Sequence, residues 1–225
     1  MTPKKYKLTE ETLQHNGYTL YRIQALRDFS NVEKGELGGW IASEKNLSHS
    51  GNTWIYYEAK AYEDASVSQD AILCGQAELF GNATMRGNAF MRHKAKAGDF
   101  ALITESVHVA DSAFVGGNAT IFGSSLITGN AFIAGDIVLT QNLKICENAH
   151  ITSEGDVISF SGFGSVGRTT TAYRTKDSFR IICGCFAGSV IEFREAVLKT
   201  HGDSKLGKEY MLISCLLESH FNNKT

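Results

Sequence analysis

The chain has 225 residues, of which 43% are hydrophobic and 20% charged, enough for one or two domains with a buried core and too apolar for global disorder. With 22 Lys and Arg against 24 Asp and Glu the net charge is −2, which gives no electrostatic reason to expect a nucleic-acid polymer as partner. Twenty-two Gly beside a single Pro excludes collagen and argues against a helical bundle; it points to turns repeated many times.

The opening MTPKKYKLTEE has basic residues but no apolar run behind them, and no run of eighteen apolar residues occurs anywhere, so neither secretion nor membrane spanning is expected. Residues 6–26 alternate polar and apolar on both sides of Asn16-Gly17, which predicts a hairpin that caps the rest of the chain. Trp40 and Trp54 then place large side chains at the entry to a run of repeats, where covering an open end is their expected role. This N-terminal hairpin and cap occupies residues 1–46.

Residues 47–158 carry a period of six. From position 59 to 149 every sixth residue is small or aliphatic, twelve of the sixteen being Ala, and the phase never slips. Two places later in each hexad stands an apolar residue, from Ala61 and Val67 through Ile145 to Ile151. Small then aliphatic, two apart, is strand alternation that puts both on one face, and pairs such as Gly81-Asn82 and Gly129-Asn130 supply turns between hexads. Between Lys96 and Lys144 there is no Lys or Arg, and only Asp99, Glu105, Asp111 and Asp136 are charged. Outward positions eighteen apart stack Phe114 over Phe132, flanked by Tyr62 and Phe80, with Leu102, Phe122 and Val138 on a second face and Ile72, Phe90 and Leu126 on a third. Outward aromatics in a charge-poor stretch are expected at a subunit contact.

After residue 158 the hexads stop. Two β-type runs, residues 169–173 and 179–183, flank Arg174-Thr175-Lys176-Asp177-Ser178 as a hairpin. Ser189 with Glu192 forms a capping box for a helix reaching Gly202, with Val190, Phe193 and Val197 on one face. Asp203 is expected to cap a second helix with Leu206, Tyr210, Ile213 and Leu217 as its stripe. Residues 159–225 thus read as a small α+β domain of net charge +3 beside a remainder of −5. Five Cys at irregular spacing fit reduced thiols in a cytoplasm, and Cys74 and Cys146, four coils apart, cannot bridge.

The repeat resembles the hexapeptide-repeat family. That resemblance implies a mainly β fold, a left-handed parallel β-helix with three hexads per coil, and commonly a parallel homotrimer. The segments YRIQAL, GELGGWI and NLSHSG, with TKDSFRIICGCFAGSVIEF and THGDSKLGKEY in the tail, are similar to a set of phage and prophage proteins named for that helix, which would place the chain in a host cytoplasm. Fold alone does not decide their function.

Acyltransferases of the hexapeptide family use a His as general base at a subunit boundary, beside loops extruded from the coils. His108 and His150 occupy the same outward hexad position, but the unbroken phase leaves no extruded loop to cradle an acyl donor. Three His converging on a metal, as in the carbonic anhydrase branch, fail on spacing: His93 has another phase, and 42 residues separate His108 from His150. Arg86, Arg92, His93, Lys94 and Lys96 gather within two coils as a candidate anion site, repeated three times in a trimer. In the tail, Arg168, Lys176 and Lys208 with GFGSVGR form a second candidate, although no Walker Lys-Ser/Thr is present after it. Cys183, Cys185 and His201 resemble half of a zinc site, against which buried thiols are the plainer reading. No resident cofactor is expected. Two readings stay open: a non-catalytic homotrimer that binds a small anionic ligand such as a nucleotide, or a host protein, and an acyl-CoA-dependent acyltransferase with a His general base.

Overall fold

The computed structural model describes residues 4–163 and 167–222, apart from the side chain of Arg168. Three strands open the chain, β1 (Tyr6–His15), β2 (Tyr18–Ala25) and β3 (Leu37–Ile41); seventeen two-residue strands succeed them at six-residue intervals, from β4 (Trp54–Ile55) to β20 (His150–Ile151). They pair in parallel with partners eighteen residues on, Phe114 with Phe132 and Phe132 with His150 for example, and so build the three faces of a β-solenoid of about six turns. The Ala and aliphatic positions read from the period line its interior, nearly all at 0–1% exposure. Ser125 replaces an Ala there and is satisfied by accepting from the Leu143 amide and donating to Gln141 O.

The corners carry a device that the period alone does not announce. Most turn through a residue of positive φ near +60°, and Gly shares these positions with acids, Gln69, His93 and Tyr57. Glu63, Asp99, Glu105 and Asp111 accept from the amides of Gly81, Gly117, Gly123 and Gly129 in the next coil at 2.6, 2.8, 2.8 and 3.0 Å. Three of the four charges in the charge-poor stretch are therefore ties between coils. Gly is required between them: a Cβ on Gly117 would lie 2.5 Å from the Gly135 nitrogen.

The Asn16-Gly17 hairpin forms as expected and caps the solenoid by continuing one face, β2 pairing antiparallel with β3 and β3 parallel with the strand at Lys60–Ala61. Its tip lies over that face. Asn16 donates to the Tyr62 hydroxyl at 3.1 Å, Tyr62 donates to Glu78 at 3.2 Å, and His15 Nε2 stands 3.2 Å from the same carboxylate. Tyr62, expected at a subunit contact, is thereby buried by its own chain. Trp54 plugs the entry beneath Tyr6 and Phe29, whereas Trp40 rides the outer face under Leu20 and Arg22 instead of covering the open end.

Matching devices mark both ends of the stack. Ser43-Glu44-Lys45-Asn46 and Ser153-Glu154-Gly155-Asp156 each form a 3₁₀ turn with a reciprocal cap. Two extra residues lie between Leu47 and Trp54, just after the first of these turns: Trp40 pairs with Lys60 and Leu47 with Val67 at a separation of twenty, Trp54 with Ile72 at eighteen, and for that reason the early hexads fall out of phase.

Beyond the second turn β21 (Val157–Phe163), β22 (Arg168–Arg174), β23 (Phe179–Cys183) and β24 (Phe186–Gly188) form an antiparallel sheet backed by α1 (Val190–His201) and α2 (Lys205–Asn222). Strand β21 begins inside the segment read as solenoid because the 3₁₀ turn has already ended the last coil. Ser189 and Glu192 form the expected capping box. The second helix is capped by Ser204, whose hydroxyl accepts from the Gly207 amide, and not by Asp203. Among the described residues no helix is long and apolar enough to cross a membrane.

Candidate functional site

A cavity of about 740 Å³ opens where the last coils meet the tail. One wall belongs to the solenoid. His150, outward on β20 and half-buried, stacks on Phe132 at 5.1 Å, and Phe132 on Phe114 at 5.4 Å, so the imidazole ends an aromatic column that the eighteen-residue spacing sets in register. Beside it Asn130 donates to Asn148 at 3.3 Å, a ladder with the same spacing. Among the described residues the ring nitrogens of His150 have no hydrogen-bond partner, which leaves them free for a ligand.

The other wall is the turn between β22 and β23. Thr175 and Ser178 close it, the Thr175 amide donating to Ser178 O at 2.8 Å and the Ser178 amide to Thr175 Oγ1 at 3.1 Å. An antiparallel bridge from Ala149 to Thr175 pins the turn to the last coil, and Arg180 grips the corner carboxylate of Glu147 through two nitrogens at 2.9 and 3.1 Å. Behind it Arg174 donates to buried Asp156 at 3.2 Å and to Phe221 O at 3.0 Å, while Asp156 accepts from the Thr152 and Ser153 amides at 2.9 Å each. The tail is thus bolted to the solenoid end. Lys176 stands exposed on the cavity wall without an ion-pair partner among the described residues, so its ammonium is available to an anion.

Of the residues singled out by sequence, the structure brings His150 and Lys176 into one cavity. His108 lies on a different face, edge-on to Phe90 at 5.5 Å and away from the cleft. The cluster Arg86, Arg92, His93, Lys94 and Lys96 is exposed but divided. Lys96 pairs with Glu78 at 3.4 Å, His93 sits 2.9 Å from Asp111 across a corner, and Arg92 lies over the Phe90 ring, leaving Arg86 and Lys94 as its open cations. Burial works against the charged form of Glu78, yet His15 and Lys96 hold its carboxyl below the usual range. The Gly129 amide and then His93 do the same for Asp111. Lys208 is exposed on α2 and does not line the cleft; Gly164–Val166 and the Arg168 side chain of the other candidate lie outside the described residues. Cys183, Cys185 and His201 line one smaller cavity, but among the described residues no three metal-ligating side chains converge. Sequence reasoning missed Arg180, Glu147 and the Asn130–Asn148 ladder, although two Asn eighteen apart beside an outward His was a usable signal.

No protein-family model matches the chain. Over 61 residues it is 41% identical to the uncharacterized acetyltransferase YdcK of Escherichia coli (strain K12), a match that covers 24% of this chain and 19% of that protein. The chain therefore spans about a fifth of the length of that relative.

Proposed function

We propose that the chain is a hexapeptide-type acyltransferase that uses His150 as general base in the cleft between solenoid and tail. The observation that carries the reading is the placement of the 175–180 hairpin. The solenoid extrudes no loop, and this hairpin supplies the missing wall opposite the histidine, with Lys176 to meet the phosphates of an acyl-CoA. The segment shared with an acetyltransferase supports the same reading. In the reaction His150 takes the proton of an acceptor hydroxyl or amine, the freed oxygen or nitrogen attacks the thioester carbonyl, and the donor leaves as a thiolate that regains the proton.

Release of free thiol from acetyl-CoA, measured against a panel of hydroxyl and amine acceptors, tests the proposal. His150→Gln should lower kcat by about 10²- to 10⁴-fold, the span of a positioned general base. Lys176→Ala should raise KM for the donor at nearly unchanged kcat, and His108→Ala should change neither. Calorimetric binding of nucleotide phosphates at Lys176, with no turnover for any acceptor, would instead favour the non-catalytic anion-binding reading, in which the phage resemblance would find its use. We further propose a parallel homotrimer, supported by outward Phe100, Phe132 and Val138, at 64, 36 and 47% exposure in the single chain. A monomeric mass by sedimentation at micromolar concentration would refute it.

A further inference from the structure

A second cavity, of about 360 Å³, lies wholly within the tail between β24 and the two helices. Its walls are apolar in the larger part, built from Phe186, Phe193, Ala196, Val197 and Tyr210, with Thr200 adding a hydroxyl and Phe193 packed edge-on against Tyr210 at 5.8 Å. Two thiols and an imidazole border it. The Cys183 sulfur accepts from Thr170 at 3.2 Å and lies 3.8 Å from the Tyr210 hydroxyl, which fixes it in the wall. Cys185 differs. It sits in the two-residue turn after Gly184, whose φ of +61° lets the strand reverse, is exposed, and has no hydrogen-bond partner among the described residues. His201, whose ring lies 5.6 Å from that of Tyr210, lines the same space.

A free thiol and an imidazole bordering an apolar chamber suit a covalent acyl acceptor. We propose that Cys185 is a self-acylation site that takes its acyl group from an acyl thioester and seats the chain among Phe186, Phe193 and Val197. His201 accepts the thiol proton, the Cys185 sulfur attacks the thioester carbonyl, a new carbon–sulfur bond replaces the one to the donor, and the departing thiolate takes the proton back. No oxidant or reductant is needed. At about 30 Å³ for a water-sized group, the chamber holds a chain of up to about twelve methylene-sized groups. Each methylene that enters should favour binding by about fourfold.

The test uses the full chain, incubated with acetyl, octanoyl and hexadecanoyl thioesters of pantetheine and analysed by intact mass and peptide mapping. Pantetheine lacks the nucleotide phosphates and the assay is repeated with His150→Ala, so failure of the cleft reading leaves this result unaffected. Expected is one hydroxylamine-labile acyl group on Cys185, formed at least tenfold faster from octanoyl than from acetyl thioester, with the further gain at hexadecanoyl limited to the about four additional groups that the cavity admits. Cys185→Ser should abolish it and Cys183→Ser should not, while Val197→Trp, which fills the chamber, should erase the chain-length preference and keep slow acetylation. Exposed Cys215, which lies outside the cavity, serves as internal control. Labelling of Cys215 at the rate of Cys185, rates independent of chain length, or no label on Cys185 would each overturn the proposal.

Discussion

Removing the Asp156 carboxylate should detach the tail while sparing the solenoid, since each coil depends chiefly on its neighbours. Asp156 is 1% exposed, accepts from two backbone amides at 2.9 Å, and holds Arg174, which in turn reaches Phe221 O at the end of α2. Breaking a buried charge pair by removing one partner costs about 3–5 kcal/mol, because the other charge stays behind. The lower half applies here, as Arg174 retains 24% side-chain exposure and can rehydrate. For a unit the size of the tail each kcal/mol lowers the midpoint by about 4–8 °C, so Asp156→Ala should melt it at least about 12 °C early. Thermal melting monitored by near-ultraviolet circular dichroism, with limited proteolysis below the first transition, would show a trimmed tail and a surviving β-solenoid. Calorimetry at an intermediate temperature should find the cleft unable to bind acetyl-CoA. A single transition at the parental temperature, or loss of the solenoid together with the tail, would refute the picture of a separately bolted domain.

Gly117→Ala should cost about 2–4 kcal/mol, since a Cβ at φ +62° adds about 1 kcal/mol of strain to its 2.5 Å approach to Gly135, whereas Gly17→Ala, at φ +84° with nothing within 4 Å, should cost only the strain; equal urea midpoints for the two would refute the corner account. Lys5 is fully buried, donating to Thr53 O at 2.7 Å with the Phe29 ring 5.0 Å away, and burial, with repulsion from Arg27 second, lowers its ammonium from 10.5 to about 8. Between those values the unfolded chain holds more protons than the folded one, so stability should rise from pH 8 to 10.5, and Lys5→Met should flatten that rise in urea titrations; an unchanged rise in the variant would assign the effect to other groups.

The hexads were legible because an inward side chain in a solenoid meets only the coils above and below, so the constraint that selects it recurs every six residues and is written along the chain. The corner acids were not. A lone Asp99 or Glu105 reads as a solvated charge, and its role appears only when the residue eighteen places on is seen to be Gly with its amide turned toward it. Local chemistry also located the hairpin at Asn16-Gly17 and the Ser189 cap, but put the second cap at Asp203, one residue before the Ser204 hydroxyl that accepts from the Gly207 amide. The cleft lay deepest, for no short segment contains it. Its histidine comes from the last coil and its cation from a turn 26 residues later, brought together by Ala149 with Thr175, Glu147 with Arg180, and Asp156 with Arg174. An unbroken repeat argued against acyl transfer only while the cradle had to come from the repeat itself. Once a folded tail can furnish the facing wall, the absence of an extruded loop ceases to count against the chemistry, and the question moves to whether His150 and Lys176 act on one substrate.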